Sequence, residues 1–241
     1  MAGVVATALL KKSNKNYKNK KTDNMKKLLF SLTIFLGSLA SLTAQSDRYS
    51  KAMQDRIAAV DSVRNPQGLQ DLSAAFERIG EAEKTQWLPY YYAALTQVNA
   101  AYMMGMENMK ADKVDPIADK AEALLNKAEA LQKSNSEIFV VKKMIASLRM
   151  MADPMSRYMT YGPVAAQALQ TAKSMNPENP RVFLLEAQDK YFTPEQFGGS
   201  KTEAKKLFEQ ALQKYDIFKP ATPLDPVWGR STAQYFLAQI R

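Results

Sequence analysis

Apolar residues recur at helical spacing along most of the chain. Tyr49, Met53, Ile57 and Val60 share one face of a first helix, with Ser46 or Asp47 placed to cap it. Asn65-Pro66-Gln67-Gly68 breaks the chain, and Leu69, Leu72, Phe76 and Ile79 mark a second helix that stops near Gly80. The same spacing predicts a third helix over 87–106, a fourth over 116–132 and a fifth over 137–151. Asp153-Pro154 reads as an interruption and Gly162-Pro163 as the opening of a sixth helix that reaches Met175. Further helices are expected over 181–192 and 200–215, separated by a loop at Thr193-Pro194 and Phe197-Gly198-Gly199. A proline-rich linker over 219–226 leads to a last helix over 227–240. No strand pattern survives this reading.

Every second helix carries one spacing: Leu72, Phe76, Ile79; Ala121, Leu125, Ala128; Ala165, Leu169, Ala172; and Ala204, Phe208, Ala211. Eleven residues after the last member of the first three sets stands an aromatic residue: Tyr90, Phe139 and Phe183. Small residues let paired helices approach while the larger one fills the gap between them. Each pair then leaves an apolar face that only a neighbouring pair can cover.

This arrangement resembles the tetratricopeptide repeat family over residues 69–215. The closest correspondence is Ala165-x3-Leu169-x2-Ala172-x4-Pro177, followed by Phe183 and Ala187. The resemblance implies an all-α, right-handed α-solenoid of antiparallel helix pairs with a C-terminal capping helix. The units are spaced by 49, 44 and 39 residues, against about 34 in the family. Lys143 stands where a small residue is expected, and Lys133 and Asp216 where proline is frequent.

The formal charge of +9 would suggest nucleic acid, but its location argues otherwise. Residues 1–44 hold Lys11, Lys12, Lys15, Lys18, Lys20, Lys21, Lys26 and Lys27 against Asp23 alone, so the remainder is close to neutral with no basic stripe. Within that segment Met25-Lys26-Lys27 precedes an apolar run from Leu28 to Leu36 and then small residues. This is the order of an export signal, and the run is shorter than the roughly 20 residues a membrane span requires. The expected organisation is a disordered extension over 1–24 (with Met1 or Met25 as initiator), a signal peptide over 25–44 cleaved after Ala44 in preference to Ala40, and a solenoid domain over 45–241. No cysteine follows the apolar run, so the mature chain is expected to be soluble and periplasmic or secreted, without a transmembrane segment.

The chain has neither histidine nor cysteine. This removes imidazole-based triads, imidazole or thiolate metal sites, disulfides and thiol nucleophiles. Neither an enzyme nor a bound cofactor is expected. The remaining candidates are recognition residues. Trp87, Tyr90, Tyr91 and Tyr92 form the densest aromatic cluster. Tyr90 belongs to the packing motif, and Tyr91 and Tyr92 project about 100° and 200° from it, so at least one is expected to face a groove or solvent. A protein or peptide partner held by Tyr91, Tyr92, Gln97, Tyr102, Tyr158 and Tyr161 is the leading expectation, in a binding or scaffold role.

The alternative is a small-molecule or Cu(I) carrier using two methionine clusters, Met103, Met104, Met106 and Met109, and Met150, Met151, Met155 and Met159. Thioethers suit Cu(I), although methionine is equally an ordinary gap filler. Asp112, Asp115, Asp119 and Glu122 read as a solvated helix start, and Gly198-Gly199 lacks the context of a phosphate-binding loop.

Overall fold

The computed structural model describes residues 47–240. Contacts divide the chain after Tyr49, and the unit that begins at Ser50 carries the helical architecture. The expected extension and signal peptide lie outside the described residues.

Helix α1 covers residues 47–60. It is followed by α2 (Pro66–Glu83), α3 (Leu88–Tyr102), α4 (Ala111–Leu131), α5 (Ser136–Met151), α6 (Pro154–Met175), α7 (Pro180–Phe192), α8 (Lys201–Ile217) and α9 (Arg230–Gln239). No strand occurs among the described residues. The starts are set by side chains that accept from otherwise unpaired backbone N–H groups. Asn65 Oδ1 accepts from Gly68 N at 2.7 Å, Asn135 from Glu137 N at 2.9 Å and Asn179 from Arg181 N at 3.0 Å. Consecutive helices pack as hairpins, α2 on α3, α3 on α4, α5 on α6 and α7 on α8, with α4 against α5 and α8 against α9 joining them. This is the all-α architecture of stacked helix pairs that the periodicity predicts.

The spacing motif is the core of those hairpins. Ala121, Leu125, Ala128, Ala165, Leu169, Ala172, Ala204, Phe208 and Ala211 are all buried. In the first unit the register differs by one residue. Leu72 and Ile79 are only half-buried, and the small buried positions flanking Phe76 are Ser73 and Gly80. Gly80 therefore does not end its helix. It lies inside α2, where a Cβ would come within 2.8 Å of the Tyr90 ring, and the helix continues to a left-handed cap at Lys84. Lysines cover the half-exposed rings of the next units, Lys142 at 4.8 Å from the Phe139 centroid and Lys173 at 5.5 Å from that of Phe183.

Other boundaries also differ from the sequence expectation. α3 ends at Tyr102, and after Gly105 (φ 81°) a separate 3-10 turn covers Met106–Asn108. α4 begins a turn earlier and carries Pro116 inside it. The largest difference is α6, which starts at Pro154 and passes through Gly162-Pro163 unbroken. Asp153 caps it, accepting from Ser156 N and Ser156 Oγ, and Pro154 occupies a first-turn position that needs no N–H. Pro163 removes one bond, to the carbonyl of Met159, a residue exposed to water that can replace it. At the end of the chain, residues 227–229 are not helical, and α9 begins only after Gly229 adopts φ 103°.

Candidate functional site

Three helix starts converge on one buried polar centre. Glu137, second residue of α5, accepts from Arg181 Nε and Nη2 at 2.7 Å each, from Asn179 Nδ2 at 2.7 Å and from Tyr91 Oη at 3.1 Å. Arg181, second residue of α7, is fully buried, and its Nη1 has no hydrogen-bond partner. Asn179 Nδ2 also reaches Ser136 Oγ at 3.0 Å, which in turn donates to the Ala172 carbonyl at 2.8 Å. Burial disfavours the Arg181 charge, but the adjacent Glu137 carboxylate outweighs it and holds the guanidinium firmly protonated. Burial, reinforced by Glu137, pushes the Tyr91 phenol well above its ordinary value, and burial does the same for Tyr92 and Tyr215. All three act as neutral hydroxyls.

The centre is covered by residues 218–229, which take in the expected linker over 219–226 and the first residues of the expected last helix. Tyr92 Oη donates to the Leu224 carbonyl at 3.0 Å, Trp228 Nε1 donates to Tyr91 Oη at 2.8 Å, and Tyr215 Oη donates to the Trp228 carbonyl at 2.9 Å. The Arg181 guanidinium lies 4.8 Å from the Phe218 centroid and 5.8 Å from that of Trp228. The segment reaches from the end of α8 back to α3, more than 130 positions away in sequence.

That cover corrects the expectation for the aromatic cluster. Neither Tyr91 nor Tyr92 is open to solvent; both are buried beneath that segment, packed edge to face at 5.2 Å, with Tyr92 stacked on Phe76. Gln97 is buried too, donating through Nε2 to Ser73 Oγ at 3.0 Å. It forms the inner wall of a cleft of about 370 Å³ lined by Gln67, Gln70, Asp71, Pro116 and Lys120. Tyr102 is half-buried and donates to the Met144 carbonyl at 3.1 Å. Glu137, Arg181 and Trp228 do not stand out in the sequence. A signal exists nonetheless: opposite charges stand two residues after cap asparagines, 44 positions apart, which is also the distance between the second and third motif sets.

The remaining two tyrosines lie on α6. Met155, Tyr158 and Met159 are 95%, 60% and 79% exposed, and helical spacing puts them with Gly162 on one face. The Tyr158 ring lies along the helix over Gly162, where a Cβ would be 3.4 Å away. Tyr161 is half-buried, its ring about 6 Å from the guanidinium groups of Arg149 and Arg157. Both arginines are committed: Arg157 holds Asp115 through two bonds of 2.6 and 2.8 Å, and Arg149 Nη2 holds Asp119 at 2.7 Å and Glu122 at 2.8 Å. Of the four acids read as a solvated helix start, three are thus ion-pair partners of α5 and α6. The Arg157 bonds hold the Asp115 carboxyl below the usual range.

The methionine clusters divide by burial. Met109 is buried and Met103 exposed, whereas Met155 and Met159 project from α6. Among the described residues no group of acidic side chains is arranged to hold a metal ion. A second aromatic group lies where α7 meets α9, with exposed Phe192 packed edge-on against Tyr191 and Phe236, beside exposed Tyr235. It contains no thioether.

These features define an all-helical protein of packed hairpins with a buried, self-covered centre and an exposed apolar helix face. No family model and no curated protein matches the chain. Among solved structures it is similar to the HusA haemophore from Porphyromonas gingivalis, with 34% identity and a TM-score of 0.70, covering 80% of this chain and 92% of that one. The chain belongs to the family of that haemophore. No described helix is long and apolar enough to cross a membrane.

Proposed function

We propose that this protein is an exported, non-catalytic carrier of a haem-class tetrapyrrole, held on the exposed face of α6. The observation that carries the reading is the 34% identity with a haemophore over nearly all of that protein. The sequence-level alternative of a small-molecule carrier is therefore preferred to a general scaffold.

The α6 face suits such a cargo chemically. Without histidine or cysteine, the side chains able to approach haem iron are phenols, thioethers and amines. Met155, Tyr158 and Met159 offer two of these classes on one surface. From Met155 to Gly162 the helix rises about 10 Å, enough to underlie a flat macrocycle, and Gly162 leaves that surface low. The neighbouring guanidinium groups already hold carboxylates, so affinity rests on apolar contact and stacking, with little salt dependence.

Titration of the full chain with haemin and with iron-free protoporphyrin, followed by Soret absorbance and tryptophan quenching, tests this. Wild type should bind both saturably. A Met155→Ala/Tyr158→Ala/Met159→Ala variant should bind at least tenfold more weakly, and Phe192→Ala/Tyr235→Ala should be unchanged. No saturable binding by wild type would overturn the carrier reading, and an unaffected triple variant would overturn the site.

A further inference from the structure

Residues 218–229 connect α8 to α9 and also contact the starts of α3 and α7. Leu224 and Pro226 are buried and Trp228 is half-buried, while Val227 between them is exposed. Leu224, Pro226 and Trp228 thus point inward from a segment that turns at 222–225. The groove supplies side-chain groups to the segment's own backbone: the Tyr92 hydroxyl to the Leu224 carbonyl and the Tyr215 hydroxyl to the Trp228 carbonyl. It also supplies a place for an indole, whose N–H donates to the Tyr91 hydroxyl. That hydroxyl passes the bond on to Glu137, and the Arg181 cation lies near both aromatic side chains of the segment.

Backbone pairing within the segment is local, from Asp225 N to the Thr222 carbonyl at 3.2 Å. Its two ends are fixed to α8 and α9, which pack on each other, so it can lift as a loop while both helices stay in place. The downstream hinge is Gly229, at φ 103°, where a Cβ would lie 2.2 Å from the Tyr215 hydroxyl. In a stack where each pair touches its neighbours, this segment is a long-range tie laid over a surface that does not need it to complete a helix.

We propose that the groove across the starts of α3, α5 and α7 is a peptide-recognition site which the chain fills with its own residues 218–229. Its external ligand is a partner segment carrying an aliphatic residue, a proline and an aromatic residue at alternate positions. Such a segment competes with the resident one and takes the same hydroxyls. This goes beyond the carrier reading and does not rest on it, since the groove and the α6 face use different residues.

The test uses a fluorescein-labelled synthetic peptide of residues 218–229 and the full chain. Leu224→Ala/Trp228→Ala, which loosens the resident segment, should bind the peptide at least tenfold more tightly than wild type by anisotropy. Adding Tyr92→Phe, which removes the hydroxyl offered to the backbone, should weaken that binding again. A double variant with wild-type circular dichroism that binds no better than wild type would refute the proposal. Native-state hydrogen exchange on wild type decides independently of any variant. The Trp228 indole N–H should exchange at least a hundredfold faster than the α3 amides; equal protection would make the segment part of the permanent core and overturn the idea.

Discussion

Replacing Glu137 by Leu should be among the most damaging single changes in the fold. The carboxylate takes four hydrogen bonds, two of them from Arg181. Its loss leaves a fully buried guanidinium with no counter-charge. Removing one partner of a buried ion pair costs about 3–5 kcal/mol, a large share of a typical stability of about 5–15 kcal/mol. Arg181→Leu should cost a similar amount by stranding the carboxylate with only Asn179 and Tyr91. Glu137→Leu/Arg181→Leu removes both charges and should cost less than the sum of the singles by several kcal/mol, because neither charge is left alone. Urea unfolding followed by circular dichroism and by the fluorescence of the two tryptophans measures all three. Additive singles, or a Glu137→Leu variant within about 1 kcal/mol of wild type, would mean that the pair does not organise the centre.

Gly80→Ala places a methyl group 2.8 Å from the Tyr90 ring and should destabilise by about 1–3 kcal/mol, as read from the urea midpoint. Asp115→Asn should lower stability at neutral pH by roughly 0.5–1 kcal/mol, the small value reflecting a partly exposed pair. Since the Asp115 carboxyl is held below its ordinary value, that difference should be complete above about pH 4 and vanish as pH falls through the lowered value; a difference that persists in strong acid would contradict the Arg157 pairing. Asn135→Ala removes the α5 cap and should cost about 1 kcal/mol. Haemin affinity should change less than threefold between 50 and 500 mM salt (both values about those of ordinary buffers), and a steep dependence would point to recognition by charge.

Helix identity is legible where periodicity alone decides it, as in Ala121, Leu125 and Ala128 or Ala204, Phe208 and Ala211. It fails where local signals have two meanings. Asp153-Pro154 serves both to break a helix and to begin one, and only the solvent around Met159 makes Pro163 tolerable inside α6. The motif at Leu72, Phe76 and Ile79 reads one residue out of register because leucine and isoleucine outweigh serine and glycine on any hydrophobicity scale. Packing prefers Ser73 and Gly80, since Tyr90 needs the room. The burial of Tyr91 and Tyr92 is illegible for another reason. Their cover comes from residues 224 and 228, and no local spacing reports a contact across such a separation. On α6, by contrast, Tyr158 and the Met155–Met159 pair are visible as candidates from sequence, and their exposure is what the structure adds.

The most direct measurement of the central claim is an NMR titration of methyl-labelled methionine with haemin. Methionines are spread through the described helices, so their methyl signals report separate places in the fold. Cargo on the α6 face should shift or broaden the Met155 and Met159 methyl signals first, leaving the buried Met53, Met109 and Met144 unchanged. Saturable binding that perturbs those buried methyls, or none at all, while Met155 and Met159 stay sharp would place the cargo elsewhere and contradict the account.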